Sequence, residues 1–269
     1  MDAIDKNLIL VPCDFSPLAY QALEHGICMS KAMNNRLLIL HVATREKDIR
    51  AMEKKLCFVG EECFEKYGVR PELMVRQGGQ PYSVIKTVAK EMDPSLVILK
   101  TDGGVQTITI LSGTSTPFLV IQGPPASIIL ENIVFPINFL TRHDEKLKRV
   151  MLLSEYYPDA VMHIITPSGK GTTKEKSIAG SLTVMGKVMK EQNIKVNFIT
   201  HDELKNTAEV ILRLSKDADM IAIQMEEAPS FTKKYLFGWR EEKLIINAEK
   251  IPILCFNKDA DLKPYRVND

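Results

Sequence analysis

Residues 7–14, Asn7-Leu-Ile-Leu-Val-Pro-Cys-Asp14, return as Asn132-Ile-Val-Phe-Pro-Ile-Asn138, with Pro12 and Pro136 lying 124 positions apart. Asp93-Pro-Ser-Leu-Val-Ile-Leu-Lys100 returns as Asp217-Ala-Asp-Met-Ile-Ala-Ile-Gln224 at the same spacing. His41 and His163 close two further apolar runs at an offset of 122, and we read them as ending strands at equivalent places. Pro117-Phe-Leu-Val-Ile-Gln122 and Pro252-Ile-Leu-Cys-Phe-Asn257 match at 135, so the first copy lacks about eleven residues between its fourth and fifth strands. A repeat of this length means two complete units, each large enough to bury its own core. We place them at residues 1–124 and 130–260, joined by the stiff Gly-Pro-Pro-Ala-Ser connection that begins at Gly123.

Within each copy, short Val/Ile/Leu runs alternate with longer amphipathic stretches. The runs predict strands at about 7–13, 36–43, 71–76, 95–100 and 117–122, then at about 131–137, 160–166, 194–199, 219–225 and 251–257. Near-continuous apolar strands are expected to be buried on both faces, as in a parallel sheet covered by helices. Ser16 before Pro17 reads as a helix N-cap with proline in the first turn. Residues 170–192 open on Gly-Thr-Thr and continue as a helix.

Charge and composition exclude several functions. Lys and Arg total 35 against 34 Asp and Glu, which leaves no global field to recruit nucleic acid or an anionic membrane. No apolar run reaches the ~20 residues of a membrane span, and the N-terminus is charged where a signal peptide is greasy, so a cytoplasmic protein is expected. The five cysteines contain no CxxC pair, and no metal site is expected. Cys13, Cys28 and Cys255 adjoin apolar runs and read as small buried hydrophobes.

The motifs Ile-Leu-Val-Pro-Cys-Asp-Phe-Ser, Leu-Leu-Ile-Leu-His-Val, Val-Arg-Gln-Gly-Gly-Gln-Pro and Pro-Phe-Leu-Val-Ile resemble those of universal stress proteins, in the family's order and repeated in tandem. The resemblance implies two α/β, doubly wound parallel sheets of order 3-2-1-4-5, of the adenine-nucleotide α-hydrolase-like kind, with any nucleotide at the switch point between strands 1 and 4. It also implies pairing of the two fifth strands, which would cover two open sheet edges and make the chain an internal pseudo-dimer.

Nucleotide-binding members carry an acidic residue after strand 1 and Gly-x2-Gly-x9-Gly-Ser/Thr after strand 4, where backbone N–H groups cradle phosphates. The second copy keeps the spacing without the residues. Met225 and Ala228 stand at the first two glycine positions, Gly238-Trp239 at the last two, and Asn138 at the acidic one. Glu226 and Glu227 fall in the would-be phosphate loop, where one like-charge contact costs on the order of 1–4 kcal/mol. The first copy keeps Asp14 but has lost the loop, leaving Gly103-Gly104 directly after strand 4. Asp14, Val42, Gly103 and Gly104 therefore form the residual candidate site, one suited to adenosine or AMP better than to ATP.

Other motifs read more plainly. Thr166-Pro-Ser-Gly-Lys-Gly-Thr-Thr-Lys174 lacks the P-loop order and reads as a mobile, solvated loop. Tyr235, Phe237 and Trp239 either plug the vacant second crevice or line an apolar pocket. No nucleophile, base and orienter set is evident, so the expected function is a non-catalytic stress-response or signalling module without an obligatory cofactor, acting through protein partners and open to homodimerisation. The alternative is an adenine-nucleotide sensor that uses the residual first site.

Overall fold

The computed structural model describes residues 7–101, 116–124, 129–137, 143–170, 172, 175–202, 207–224 and 242–256. The chain divides into two compact units, the second beginning at Ile129. In the first copy, strands β1 (Leu8–Pro12), β2 (Arg36–Ala43), β3 (Glu72–Gln77), β4 (Leu96–Lys100) and β5 (Phe118–Ile121) lie in the order β3-β2-β1-β4-β5. In the second, β6 (Asn132–Pro136), β7 (Val161–Pro167), β8 (Val196–His201), β9 (Met220–Gln224) and β10 (Ile253–Phe256) lie in the order β8-β7-β6-β9-β10. Both are the 3-2-1-4-5 order that the resemblance implies.

Individual hydrogen bonds repeat along with the strands. Ser95 N–H donates to Leu8 O at 2.9 Å and Asp219 N–H to Asn132 O at 2.9 Å, which preserves the 124 spacing. Val97 N–H donates to Pro117 O at 3.0 Å and Ile221 N–H to Pro252 O at 2.9 Å, which preserves the 135 spacing of the last strand.

The central strands are apolar because helices cover them. Leu8 to Val11 and Val97 to Ile98 expose at most 1% of their surface. Helix α1 (Pro17–Met33) starts where Ser16 Oγ accepts from the Ala19 N–H at 3.3 Å, and it stops at Asn34, whose φ of 50° takes the left-handed cap conformation. Helices α2 (Ile49–Tyr67) and α3 (Pro81–Met92) complete the first copy, while α4 (His143–Tyr156), α5 (Glu175–Glu191), α6 (Thr207–Leu214) and the short α7 (Glu242–Ile245) belong to the second.

Two sequence expectations need correction. The third strands are not buried on both faces: β3 has no buried residue and β8 only His201, because each forms one edge of its copy's parallel order. His41 and His163 are not equivalent either. Pro12 pairs with Leu40 and Pro136 with Ile165, so Thr166 is the counterpart of His41, whereas His163 corresponds to Leu38. The helix-bearing connection from β6 to β7 is one residue longer than that from β1 to β2, which sets the structural offset at 125 and not at the 122 that separates the two histidines.

Candidate functional site

Strands β1 and β4 are neighbours whose following connections leave in opposite directions, so their carboxyl ends open the crevice expected of a switch point. The chain leaving β1 is closely tied down. Cys13 N–H donates to Leu40 O at 2.8 Å, His41 Nδ1 donates to Cys13 O at 2.8 Å, and Ser16 N–H donates to Asp14 Oδ1 at 3.1 Å. Phe15 sits at φ 62°, a left-handed conformation that costs a non-glycine residue on the order of 1–3 kcal/mol. Its ring compensates by lying 4.6 Å from the His41 ring, with Lys55 Nζ 4.2 Å above its centroid.

Sequence reasoning missed the residue that dominates this crevice. Lys100 ends β4, and its Nζ donates to Asp14 Oδ2 at 2.5 Å and to Ser16 Oγ at 2.8 Å. Burial alone raises the Asp14 carboxyl, but the bonds from Lys100 and Ser16 outweigh it and hold the group below its usual range. Asp14 thus remains ionised and paired at neutral pH. With half of its side chain exposed, the pair contributes at most ~1 kcal/mol to stability. Its effect is on access, since a ligand hydroxyl must displace Lys100 to reach Asp14. The signal was present as a lone charge at the carboxyl end of an apolar strand, opposite an acidic residue in the adjacent strand's exit loop.

Of the other predicted site residues, Val42 lies in β2 two positions beyond the partner of Pro12 and is half-buried. Gly103, Gly104, Asn138, Met225, Ala228, Gly238 and Trp239 lie outside the described residues, as do Glu226, Glu227, Tyr235 and Phe237. Cys13, one residue before Asp14, is buried, and burial raises its thiol, which keeps it protonated and a poor nucleophile. His163 joins a polar ladder away from the crevice, donating from Nε2 to Asn132 Oδ1 at 3.0 Å and accepting from Asn197 Nδ2 at 3.2 Å. The loop after β7 is pinned, since Ser168 Oγ donates to Asp202 Oδ1 and Lys170 Nζ lies 3.8 Å from Asp202 Oδ2. Among the described residues there is no cluster of metal-ligating side chains, and no helix is long and apolar enough to cross a membrane.

No protein-family model and no curated protein matches the sequence. Solved structures do match. A universal stress protein from Archaeoglobus fulgidus DSM 4304 superposes with a TM-score of 0.71 at 18% identity, covering 93% of this chain and 96% of its own. A putative universal stress protein from Pseudomonas aeruginosa UCBPP-PA14 superposes with a TM-score of 0.65 at 14% identity, covering 95% of this chain and 94% of its own. The likeness is one of fold, and it accounts for both copies: the chain carries the universal stress protein fold twice, in tandem, along nearly its whole length.

Proposed function

We propose that this protein is a non-catalytic stress-response or signalling module, an internal pseudo-dimer of two universal-stress-type domains whose nucleotide sites are degenerate and which acts through protein contacts. The observation that carries the reading is the ion pair between Lys100 and Asp14, which places a built-in cation on the one acidic residue that a nucleoside would need. In the second copy Asn138 has replaced that acidic residue, and Gln224 stands at the position of Lys100. In this reading the internal pairing runs through β5 and β10, two short apolar strands that each come last in their copy's order. Separately expressed residues 1–124 and 130–260 are then expected to self-associate or aggregate through the uncovered edge, as size-exclusion chromatography would show; two well-behaved monomers would oppose the pairing.

A second reading, the adenine-nucleotide sensor, draws on the same lysine, because an ammonium beside the N-cap of α1 is also a phosphate ligand. One pair of titrations separates the two. If Lys100 blocks the crevice, Lys100→Met frees Asp14, and adenosine binds the variant more tightly than the parent, about tenfold for each 1.4 kcal/mol released. If Lys100 is a phosphate ligand, the same change abolishes AMP binding and leaves adenosine unaffected. In either case Asp14→Ala removes nucleoside binding to this copy and Asn138→Ala does not.

A further inference from the structure

A cavity of about 520 Å³ lies between α1 and α2 of the first copy, on a helix-covered face of the sheet rather than at the carboxyl ends of its strands. Its floor is apolar: Leu23, Ile27, Val59 and Cys63 are each at most 3% exposed. Tyr20 and Tyr67 contribute aromatic surface, and Glu24, Glu62 and Glu65 bring three carboxylates to the lining. The volume falls within the ordinary range for small-molecule sites, about 300–1,000 Å³.

At the rim, an exposed lysine shows the chemistry on offer to a cation. Lys66 Nζ lies 4.8 Å from the centroid of the Tyr67 ring and 3.7 Å from Glu24 Oε1, while Tyr67 Oη donates to that same Glu24 oxygen at 3.0 Å. An ammonium is thus seated on an aromatic ring and faced by a carboxylate, the arrangement that recognises organic cations. Lys66 is largely exposed where it meets Glu24, and Glu62 makes no hydrogen bond or ion pair with any described residue. The titratable groups around the groove shift mainly through burial and local hydrogen bonds, with the carboxylates adding to the same direction. Burial and then Glu62 push the Cys63 thiol up to about 11; burial, Cys13 and Glu62 raise the Tyr20 hydroxyl; Tyr67 and then Glu24 raise Lys66.

The fold does not demand those carboxylates, and the second copy demonstrates it. Eleven residues after the equivalent backbone donors Cys13 and Ile137 stand Glu24 and Lys148. Gly60 and Gly186 make the same close approach to the third strand, 3.3 Å from Leu73 and 3.4 Å from Phe198, and two residues later stand Glu62 and Val188. The second copy builds the same helix pair with a lysine and a valine at these two positions, so the fold does not require Glu24 and Glu62, whereas Glu65 has a counterpart in Glu191, five residues after Gly186.

We propose that the α1–α2 groove of the first copy is a binding site for an organic cation, an ammonium group on an apolar or aromatic body, with Glu24 and Glu62 as counter-ions, the two tyrosines as aromatic walls and Lys66 as an internal competitor. The site is independent of the switch-point crevice.

Calorimetric titration of the full-length protein at neutral pH tests this with phenethylammonium chloride and, as the anion of similar shape, hydrocinnamate. Phenethylammonium is expected to bind saturably to one site and hydrocinnamate not at all. Glu62→Gln should weaken binding about threefold and Glu24→Gln with Glu62→Gln about tenfold, the scale of one exposed charge contact. Lys66→Met should strengthen it about threefold, a gain that a purely structural lysine would not give. No saturation by about 20 mM, equal binding of the two probes, a double variant that binds like the parent, or a Lys66→Met variant that binds more weakly would each overturn the assignment.

Discussion

Lowering the pH from 7 to 4 is expected to remove about 3 kcal/mol of folding stability through one side chain, His25. The imidazole lies in α1 at 7% exposure, and its Nε2 donates to the Gly123 carbonyl just past β5 at 3.3 Å. Burial pushes its pKa from 6.5 down to about 4, the Gly123 bond and Glu24 opposing weakly. His25 is therefore neutral in the folded chain between those values and charged in the unfolded one. The unfolded state binds the extra proton, so the stabilisation is whole above pH 6.5, declines as the pH falls toward about 4 and changes no further below it. His163, also lowered by burial, adds a smaller effect of the same sign. Asp14, whose folded pKa is depressed, contributes stability that is full above the ordinary carboxylate range and is lost only as the pH falls below it, so the two windows are distinct. Urea unfolding at pH 7 and 5.5 should show a loss of about 1 kcal/mol, most of which His25→Gln removes. An equal loss in the variant would mean that His25 is not the titrating group.

Two glycine-to-alanine changes in helices should have opposite signs. Alanine in a helix interior is ordinarily favoured over glycine by about 1 kcal/mol, and Gly180→Ala in α5 should gain that, since an added Cβ meets nothing within 4 Å. Gly26 lies in the middle of α1, where a Cβ would stand 2.6 Å from Val11 Cγ2 and 3.2 Å from Leu37 Cδ1. Those side chains belong to β1 and β2 at the centre of the sheet, Val11 fully buried and Leu37 at 2%, so neither moves cheaply. Overpacking of this kind costs about 1–3 kcal/mol, which outweighs the helix gain, and Gly26→Val should cost more than Gly26→Ala. Thermal or urea unfolding of the three variants checks the sign of each. A stabilised Gly26→Ala would contradict the close packing of α1 on β1.

The strands were legible because they are buried: a run such as Leu96 to Leu99 with no polar residue can only be a central strand or a buried helix, and its length chooses the strand. The cap of α1 was legible too, because Ser16-Pro17 acts through local bonds. Legibility failed where the outcome depended on register. His41 and His163 look alike in a linear match, yet the register pairs Pro136 with Ile165 and so puts Thr166, not His163, at the position of His41. Lys100 reads as a solubilising strand end until the β1–β4 pairing brings it beside the chain leaving Pro12. The α1–α2 groove depends on which helix faces meet above the sheet, a tertiary outcome that periodicity within either helix does not express.

If neither copy retains a working ATP site, ligand-dependent thermal unfolding shows it directly. A ligand stabilises by RT ln(1 + [L]/Kd), so ATP at 1 mM with a Kd no tighter than about 1 mM adds only ~0.4 kcal/mol. For a chain of 269 residues that is a rise in Tm of about 1 °C or less. A low-micromolar Kd would instead give about 4 kcal/mol at roughly a thousandfold excess and raise Tm by about 8 °C or more. The account predicts the first result; the second would mean that a phosphate cradle survives in one of the copies and that Lys100 serves it instead of closing it.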